Sequence, residues 1–404
     1  MCSRSVFRDT RSGPPTCNGS ITRVLLGAGS IMSSDQYRIR PYEAADRDGF
    51  LALYDAVWGH AKGPGWFDWR FRDNPYRDGV QMVVAEHEDR LVGAEPLLPF
   101  RLRIGSRTVD AYQPVDWIVH PDHRRRGLFT RMTEHLLACY GDDAALLFNF
   151  PNDALLPGLK QFDWREVGTI PTGYRVQNPR ALLADSLDST ASVALQPALT
   201  VATGLTKQAL TLLDRVNAPS DGPAVETYAG VATAPVEQLY SSSPPDRIHV
   251  PRDTSFLDWR FDNPRWTTTT YVASRDGEPV ATLVAASEYH GGSTATMLLD
   301  VQHVAGTPAA SSAVETLFVR LLRDNRGADA VKVPGWFDPR LRRRYGFCND
   351  TTISLTSLPS VSTAAVRPLC PDSDLNAAAP WSIDGWDLTD ADNWLFTLAD
   401  LDIE

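Results

Sequence analysis

One motif is written twice in this chain: Asp68-Trp69-Arg70-Phe71, one residue, Asp73-Asn74-Pro75, and then Asp258-Trp259-Arg260-Phe261-Asp262-Asn263-Pro264. A repeat at long spacing forces each half to bury its own hydrophobic face, so it constrains the fold more than any single element. The correspondence continues in order. Val84-Ala85 matches Val272-Ala273, the turn His87 to Arg90 matches Ser274 to Glu278, and the strand with Asp116 matches the strand with Asp300. The helix ending in Leu136-Leu137 matches the one ending in Leu321-Leu322, and Phe162-Asp163-Trp164 matches Tyr345-Gly346-Phe347. The chain reads as a tandem duplication. The repeated Asp-Trp-Arg-Phe reads as a packing and ion-pair element, because it recurs in a half that lacks the cationic loop described below.

Local patterns place the elements of the first half. Residues 37–41 read as a strand, and Phe50, Leu53, Tyr54 and Val57 recur at helical spacing over Asp46 to Trp58. A hairpin follows from Met82, turning at His87 to Arg90. Gly105-Ser106 turns its second strand into another, expected to run from Thr108 to about His120. A helix to Tyr140, a strand Leu146 to Phe150, a short helix Leu155 to Phe162 and a strand Trp164 to Ile170 complete the half. Asn178 to about Val250 is rich in Ala, Ser, Thr and Pro, with an amphipathic stretch at Val201 to Val216, and reads as linker plus bracing helix. The Trp386 to Glu404 tail carries Trp386, Trp394 and Phe396 and is expected to pack onto a domain.

The chain has 404 residues with 39 basic and 50 acidic side chains, net −11, so no cationic surplus exists for general nucleic-acid binding. Only four of the basic residues are Lys, and 38 of the acids are Asp. Hydrated Asp in place of Lys suits a surface soluble in concentrated salt; a GC-rich coding bias is the alternative. Apolar runs are too short for a membrane helix, and five scattered cysteines without a CxxC pair indicate neither a disulfide framework nor a zinc site. A reducing, cytoplasmic setting without nucleic acid or membrane partners is expected. Residues 1–34 carry four arginines against Asp9 and no periodic apolar face. They read as a disordered extension or as a mis-assigned start, with Met32 the initiator.

The segment Val115-Asp116-Trp117-Ile118-Val119-His120-Pro121-Asp122-His123-Arg124-Arg125-Arg126-Gly127-Leu128-Phe129 runs from a buried strand through a Pro turn into an Arg/Gly loop opening a helix. Free N–H groups of a first helical turn, with its dipole, can hold a pyrophosphate; Gly127 permits close approach and the arginines add charge. A merely solvated surface loop is the alternative. His120 and His123 lack further ligands and read as structural, so no metal site is expected.

These residues and the element order around them resemble the GCN5-related N-acetyltransferase superfamily, whose Arg or Gln, two residues, Gly signature is met at Arg124 and Gly127. Phe129 stands where the family has a small residue. The resemblance implies an α/β fold of two tandem acetyltransferase-like domains, each a mixed, mostly antiparallel sheet flanked by helices: 35–177 binding acetyl-CoA, a linker 178–249, a degenerate copy 250–357, and a linker and tail 358–404. The degenerate copy reads Val304-Ala305-Gly306-Thr307-Pro308-Ala309 where the loop should be.

The resemblance further implies the acetyl-CoA pyrophosphate on the backbone of Arg124, Arg125, Arg126, Gly127, Leu128 and Phe129, and a thioester carbonyl polarised by a backbone N–H near Val119. Asp116 and Glu95 interrupt apolar strands near that point and are the candidate bases, structurally paired carboxylates being the alternative. Asn149 and Asn152 are candidates for cofactor contact, turn capping being theirs. No Tyr occurs in Leu155 to Phe162 to serve as general acid, which leaves Lys160 or water. The expected function is transfer of acetyl from acetyl-CoA to a primary amine that the sequence does not name, in an oligomeric state it does not give. Rivals are a non-catalytic acetyl-CoA-binding protein and an aminoacyl-tRNA-dependent transferase.

Overall fold

The computed structural model describes residues 37–184, 189–219, 222–290, 292–304, 308–350 and 362–402. The extension 1–34, and residues 305–307 of the second-half loop, lie outside the described residues. Two compact units divide the chain: the first takes residues up to Arg72, Arg77–Leu98 and Pro114–Ala144, and the second Asp73–Tyr76, Pro99–Gln113 and Ala145 onward.

The first half runs β1 (Arg38–Pro41), α1 (Arg47–Trp58), α2 (Pro64–Phe67), a π-turn segment Asp68–Arg72, β2 (Gln81–His87), β3 (Arg90–Ile104), β4 (Arg107–Pro114), β5 (Ile118–Val119), α3 (Leu128–Tyr140), β6 (Leu146–Asn149), α4 (Leu156–Lys160) and β7 (Arg165–Ile170). Then come β8 (Thr172–Val176), α5 (Pro179–Ala184) and α6 (Ser189–Asn217). The second half runs β9 (Ala224–Ala229), α7 (Thr233–Ser242), α8 (Thr254–Arg260), β10 (Thr267–Arg275), β11 (Glu278–His290), β12 (Ser293–His303), α9 (Pro308–Asp324), β13 (Ala330–Pro334), α10 (Pro339–Arg344) and β14 (Cys348–Asn349), before β15 (Ser362–Pro368). Among the described residues no helix is long and apolar enough to cross a membrane.

In the first unit, α1 buries Phe50, Leu53 and Tyr54, one helical face, so that Phe50 meets Phe67 at 5.5 Å and Phe71 at 5.6 Å between ring centres. Helix α3 packs so closely on β3 that a Cβ on Gly93 would stand 2.9 Å from Met132 Sδ. A larger residue there would require the Met132 side chain to shift. The second unit has its own core, in which Phe318 of α9 lies 4.8 Å from Phe337 and 5.5 Å from Phe347.

Both sheets are mostly antiparallel, with strand orders β1-β2-β3-β4-β6-β15-β7 and β9-β10-β11-β12-β13-β8-β14. Position by position the two orders correspond, and each contains one strand from the other half of the chain. β15, from the end of the chain, pairs with β6 and β7; β8, from the end of the first half, pairs with β13 and β14. The stretch 178–249 therefore holds more than linker and helix, because β9 is an edge strand of the second sheet. Likewise 358–404 supplies a sheet strand, and its Trp394 and Phe396 are buried and stacked at 4.8 Å.

Candidate functional site

The strand expected over Thr108 to His120 is broken. Val115 N–H donates to Pro96 O, whereas Ile118 pairs with Ala94, so three steps on one strand face two on the other. One extra residue makes a β-bulge, and Asp116 takes it up with φ 48°. β5 then returns to β3, with His120 N–H donating to Val92 O at 2.9 Å and Val119 opposite Gly93. Backbone groups alternate sides along an antiparallel strand, so Val119 projects its N–H and C=O from the edge away from β3. Arg124 Nε donates to that C=O at 3.0 Å.

Beyond this edge the loop alternates hand. Arg124 has φ −67°, Arg125 φ 60° and Gly127 φ 73°, with Arg126 outside the positive-φ set. Arg124 is itself extended, with ψ 160°, so the alternation lies at Arg125–Gly127, where it can turn N–H groups to one side for an anion, and it runs directly into the first turn of α3. Residues 124–127 are exposed, and a Cβ on Gly127 would meet no heavy atom within 4 Å. The space above Gly127 is open to a ligand. Leu128 is buried and Phe129 packs on Trp117 at 5.8 Å, so both can offer only backbone.

Long-range bonds hold the loop. Arg126 donates to Tyr37 Oη at 3.0 Å and to Asp122 O, and Arg131 donates to Tyr37 O at 3.1 Å. Tyr37 Oη also lies 3.0 Å from His123 Nδ1, and His87, His120 and His123 form a ring cluster. Burial, then the nearby His87 and Arg126 charges, hold His123 below the usual imidazole range. No group of three or more His, Cys, Asp or Glu able to hold a metal ion occurs among the described residues. Tyr37 was not legible as a site residue, because 89 positions separate it from Arg126.

The two carboxyls expected as bases are both engaged. Asp116 Oδ2 accepts from Arg70 Nε at 3.0 Å, and the guanidinium is fully buried against the Trp66 and Phe71 rings. A carboxylate committed to a buried guanidinium is a poor proton acceptor. Glu95 has no exposed surface and lies 3.1 and 3.2 Å from Thr133 Oγ1, which is itself 3.0 Å from Phe129 O. Burial pushes its pKa well above the carboxylate range, and the Thr133 bond offsets this only in part. One hydroxyl proton cannot serve both oxygens. With Glu95 neutral, its O–H donates to Thr133, which donates to Phe129 O, and both hydroxyl protons are used.

Asn149 and Asn152 lie in the second unit, whereas Val119, Asp116, Glu95 and the loop lie in the first. Asn149 Oδ1 accepts from Phe150 N–H at 2.6 Å; Asn152 Oδ1 accepts from Ala154 and Leu155 N–H ahead of α4. Asn152 bonds as a turn cap, whereas the Asn149 side chain bonds to its neighbour's N–H. Lys160 is paired with Glu166 at 2.6 Å.

A bulged strand with a free edge leads here into a cationic loop and a helix start, an arrangement that can hold an anion beside exposed backbone groups. Residues 38–167 match the family profile described as Acetyltransferase (GNAT) domain. This segment is a GNAT domain. The GNAT architecture extends to solved structures that match most of the chain. A GCN5-related N-acetyltransferase from Anabaena variabilis matches with TM-score 0.54 and 11% identity over 83% of this chain and 73% of that one. A probable N-acyltransferase from Enterococcus faecalis matches with TM-score 0.56 and 10% identity, covering 82% and 72%. A GCN5-related N-acetyltransferase from Kribbella flavida matches with TM-score 0.52 and 14% identity, covering 87% and 75%. No curated protein matches. The chemistry that the GNAT domain supports is acyl transfer.

Proposed function

We propose that the chain is an acetyl-CoA-dependent N-acetyltransferase acting on a primary amine, with the GNAT domain as its donor-binding half and the second half as a degenerate copy. The observation that carries this reading is the exposed Arg125 to Gly127 nest opening α3, preceded by Arg124 and following the Val119 edge in one continuous segment. The pyrophosphate would lie on the N–H groups of residues 124–129 and the thioester carbonyl on the Val119 N–H. The amine attacks the carbonyl carbon, the C–S bond breaks, and the thiolate takes a proton from water. Because Asp116 and Glu95 are both engaged, the amine gives its own proton to solvent, either directly or through ordered water.

That same engagement favours a second reading, a non-catalytic acetyl-CoA-binding protein. Calorimetric titration of acetyl-CoA, followed by thiol release on a panel of primary amines, separates the two. The enzyme reading expects saturable binding and thiol release whose pH dependence follows the amine. Binding without release supports the second reading; no binding overturns both. Turnover with aminoacyl-tRNA alone would replace the donor.

A further inference from the structure

The second unit contains a cavity of about 530 Å³ that the GNAT domain does not use. It opens where β12 and β13 part. The two strands pair in parallel only at Ala295–Met297 and Ala330–Lys332, after which β12 continues to His303 and β13 stops at Pro334. Val301, Val314, Trp336 and Leu341 supply apolar wall, and Arg340, Arg343, His303, Asp338 and Ser311 supply the polar lining. A volume of this size is in the range of small-molecule sites.

The inner end of the parting is already taken by the chain itself. Two residues before Val301, Leu299 O accepts from Ala399 N–H at 3.3 Å. Arg260 donates to Ala399 O and Leu401 O at 2.7 and 2.8 Å, and Arg252 binds Asp300 and Asp400 at 2.8 and 3.0 Å. Trp336 Nε1 donates to Phe396 O at 2.7 Å, which leaves its ring, 37% exposed, as wall. An extended donor arm along β12 is therefore excluded, and a short ligand is not.

Charge selects the ligand. Arg340 and Arg343 are exposed and neither is in an ion pair among the described residues, while Asp338, the acid of the lining, caps Arg340 and Leu341 N–H. In a chain of net −11, two such guanidiniums beside an indole ring form a local cationic, aromatic recess. We propose that this cavity is a second ligand site, for a small organic anion with an apolar or aromatic body, distinct from the acyl-donor site.

The probe is 8-anilinonaphthalene-1-sulfonate, titrated by fluorescence into the full chain at fixed salt. One saturable site is expected, weakened at least tenfold in the Arg340→Ser/Arg343→Ser variant and equally in Ser311→Trp, which fills the recess without touching its charge. Saturating acetyl-CoA should leave the dye bound. Unchanged binding in either folded variant overturns the proposal, and Ser311→Trp decides alone if the double variant loses its circular dichroism. Loss of the signal in Leu205→Gln/Leu212→Gln would place the dye on the exposed face of α6 and also overturn it. Displacement by acetyl-CoA would overturn the distinction from the acyl-donor site and with it the proposal. None of these outcomes depends on turnover, so the acyl-transfer reading stands or falls separately.

Discussion

Arg70 and Arg260 hold the same place in the repeated motif and are both buried, yet one ends on a carboxylate and the other on backbone carbonyls. In the first half the bulge residue Asp116 neutralises Arg70. In the second, β12 carries its own bulge beside Asp300, but residues 399 and 401 satisfy Arg260, and Asp300 pairs with Arg252 instead. A buried guanidinium must find acceptors. Where Asp116 of the bulge takes the guanidinium, the neighbouring strand edge stays open; where backbone carbonyls of the tail take it, the tail bonds to that edge at Leu299 O.

The largest expected difference follows from the open edge. Gly127→Val places a branched side chain in the open space above the nest and should abolish measurable acetyl-CoA binding. Its φ of 73° adds strain of about 1–2 kcal/mol, which a folded domain can absorb. Calorimetry on the folded variant decides it. Normal binding would mean that the pyrophosphate is held elsewhere, and the contrast between the halves would lose its functional side.

Stability should show the same asymmetry. Arg252→Met leaves Asp300 and Asp400, 1% and 0% exposed, without their cation, and should cost about 3–5 kcal/mol in urea unfolding. Arg70→Met strands one carboxylate, Asp116, whose side chain is 10% exposed, and should cost less. An equal or larger loss at Arg70 would show that the internal pair, and not the tail, is the costlier element to lose.

Third in size is the loop charge. Arg124→Ala removes the latch to Val119 O and Arg126→Ala those to Tyr37 Oη and Asp122 O, and each should weaken acetyl-CoA binding by about 1–3 kcal/mol at fixed salt. Arg323→Ala, on α9 of the second half, should change it by less than about 0.5 kcal/mol. Parity between the loop and α9 variants would erase the distinction drawn between the halves.

Much of this was legible in the sequence wherever the signal is local. Helical spacing gave α1, the charged turn gave the β2–β3 hairpin, and three arginines ahead of a glycine marked the nest. The unbroken strand to His120 was not right, because nothing in Val115-Asp116-Trp117 announces an extra residue; the bulge is set by pairing with Pro96 and Ala94. The exchange of β8 and β15 was equally hidden. Val176 pairs with Ala330 and Asn149 with Ala365, and such distant partners leave no periodicity to read. Of the candidate site residues, the Arg124 to Phe129 loop is a local pattern and Val119 follows from the family resemblance, whereas the engagement of Asp116 and Glu95 depends on Arg70 and Thr133, dozens of positions away.

The smallest effect at neutral pH concerns Glu95, and it tests whether the fold needs a carboxyl there. Aligning Val83 with Tyr271 places Leu283 at the Glu95 position, and Phe318 at that of Thr133; both are core residues of the second half. An apolar pair therefore satisfies the same packing. Since burial raises the folded pKa of Glu95, its neutral form contributes full stability below the unfolded value of about 4.3. As pH rises past that value the unfolded chain releases its proton and the folded chain does not. Stability then falls by at most about 1.4 kcal/mol per pH unit until the folded pKa is passed. Glu95→Gln keeps a neutral donor to Thr133 and has no proton to lose, so its stability relative to wild type should grow from pH 5 to pH 9. Denaturant midpoints across that range check it. Parallel curves would mean that Glu95 is ionised in the folded chain, and Thr133 would then have to donate to the carboxylate, leaving Phe129 O at the start of α3 without that bond.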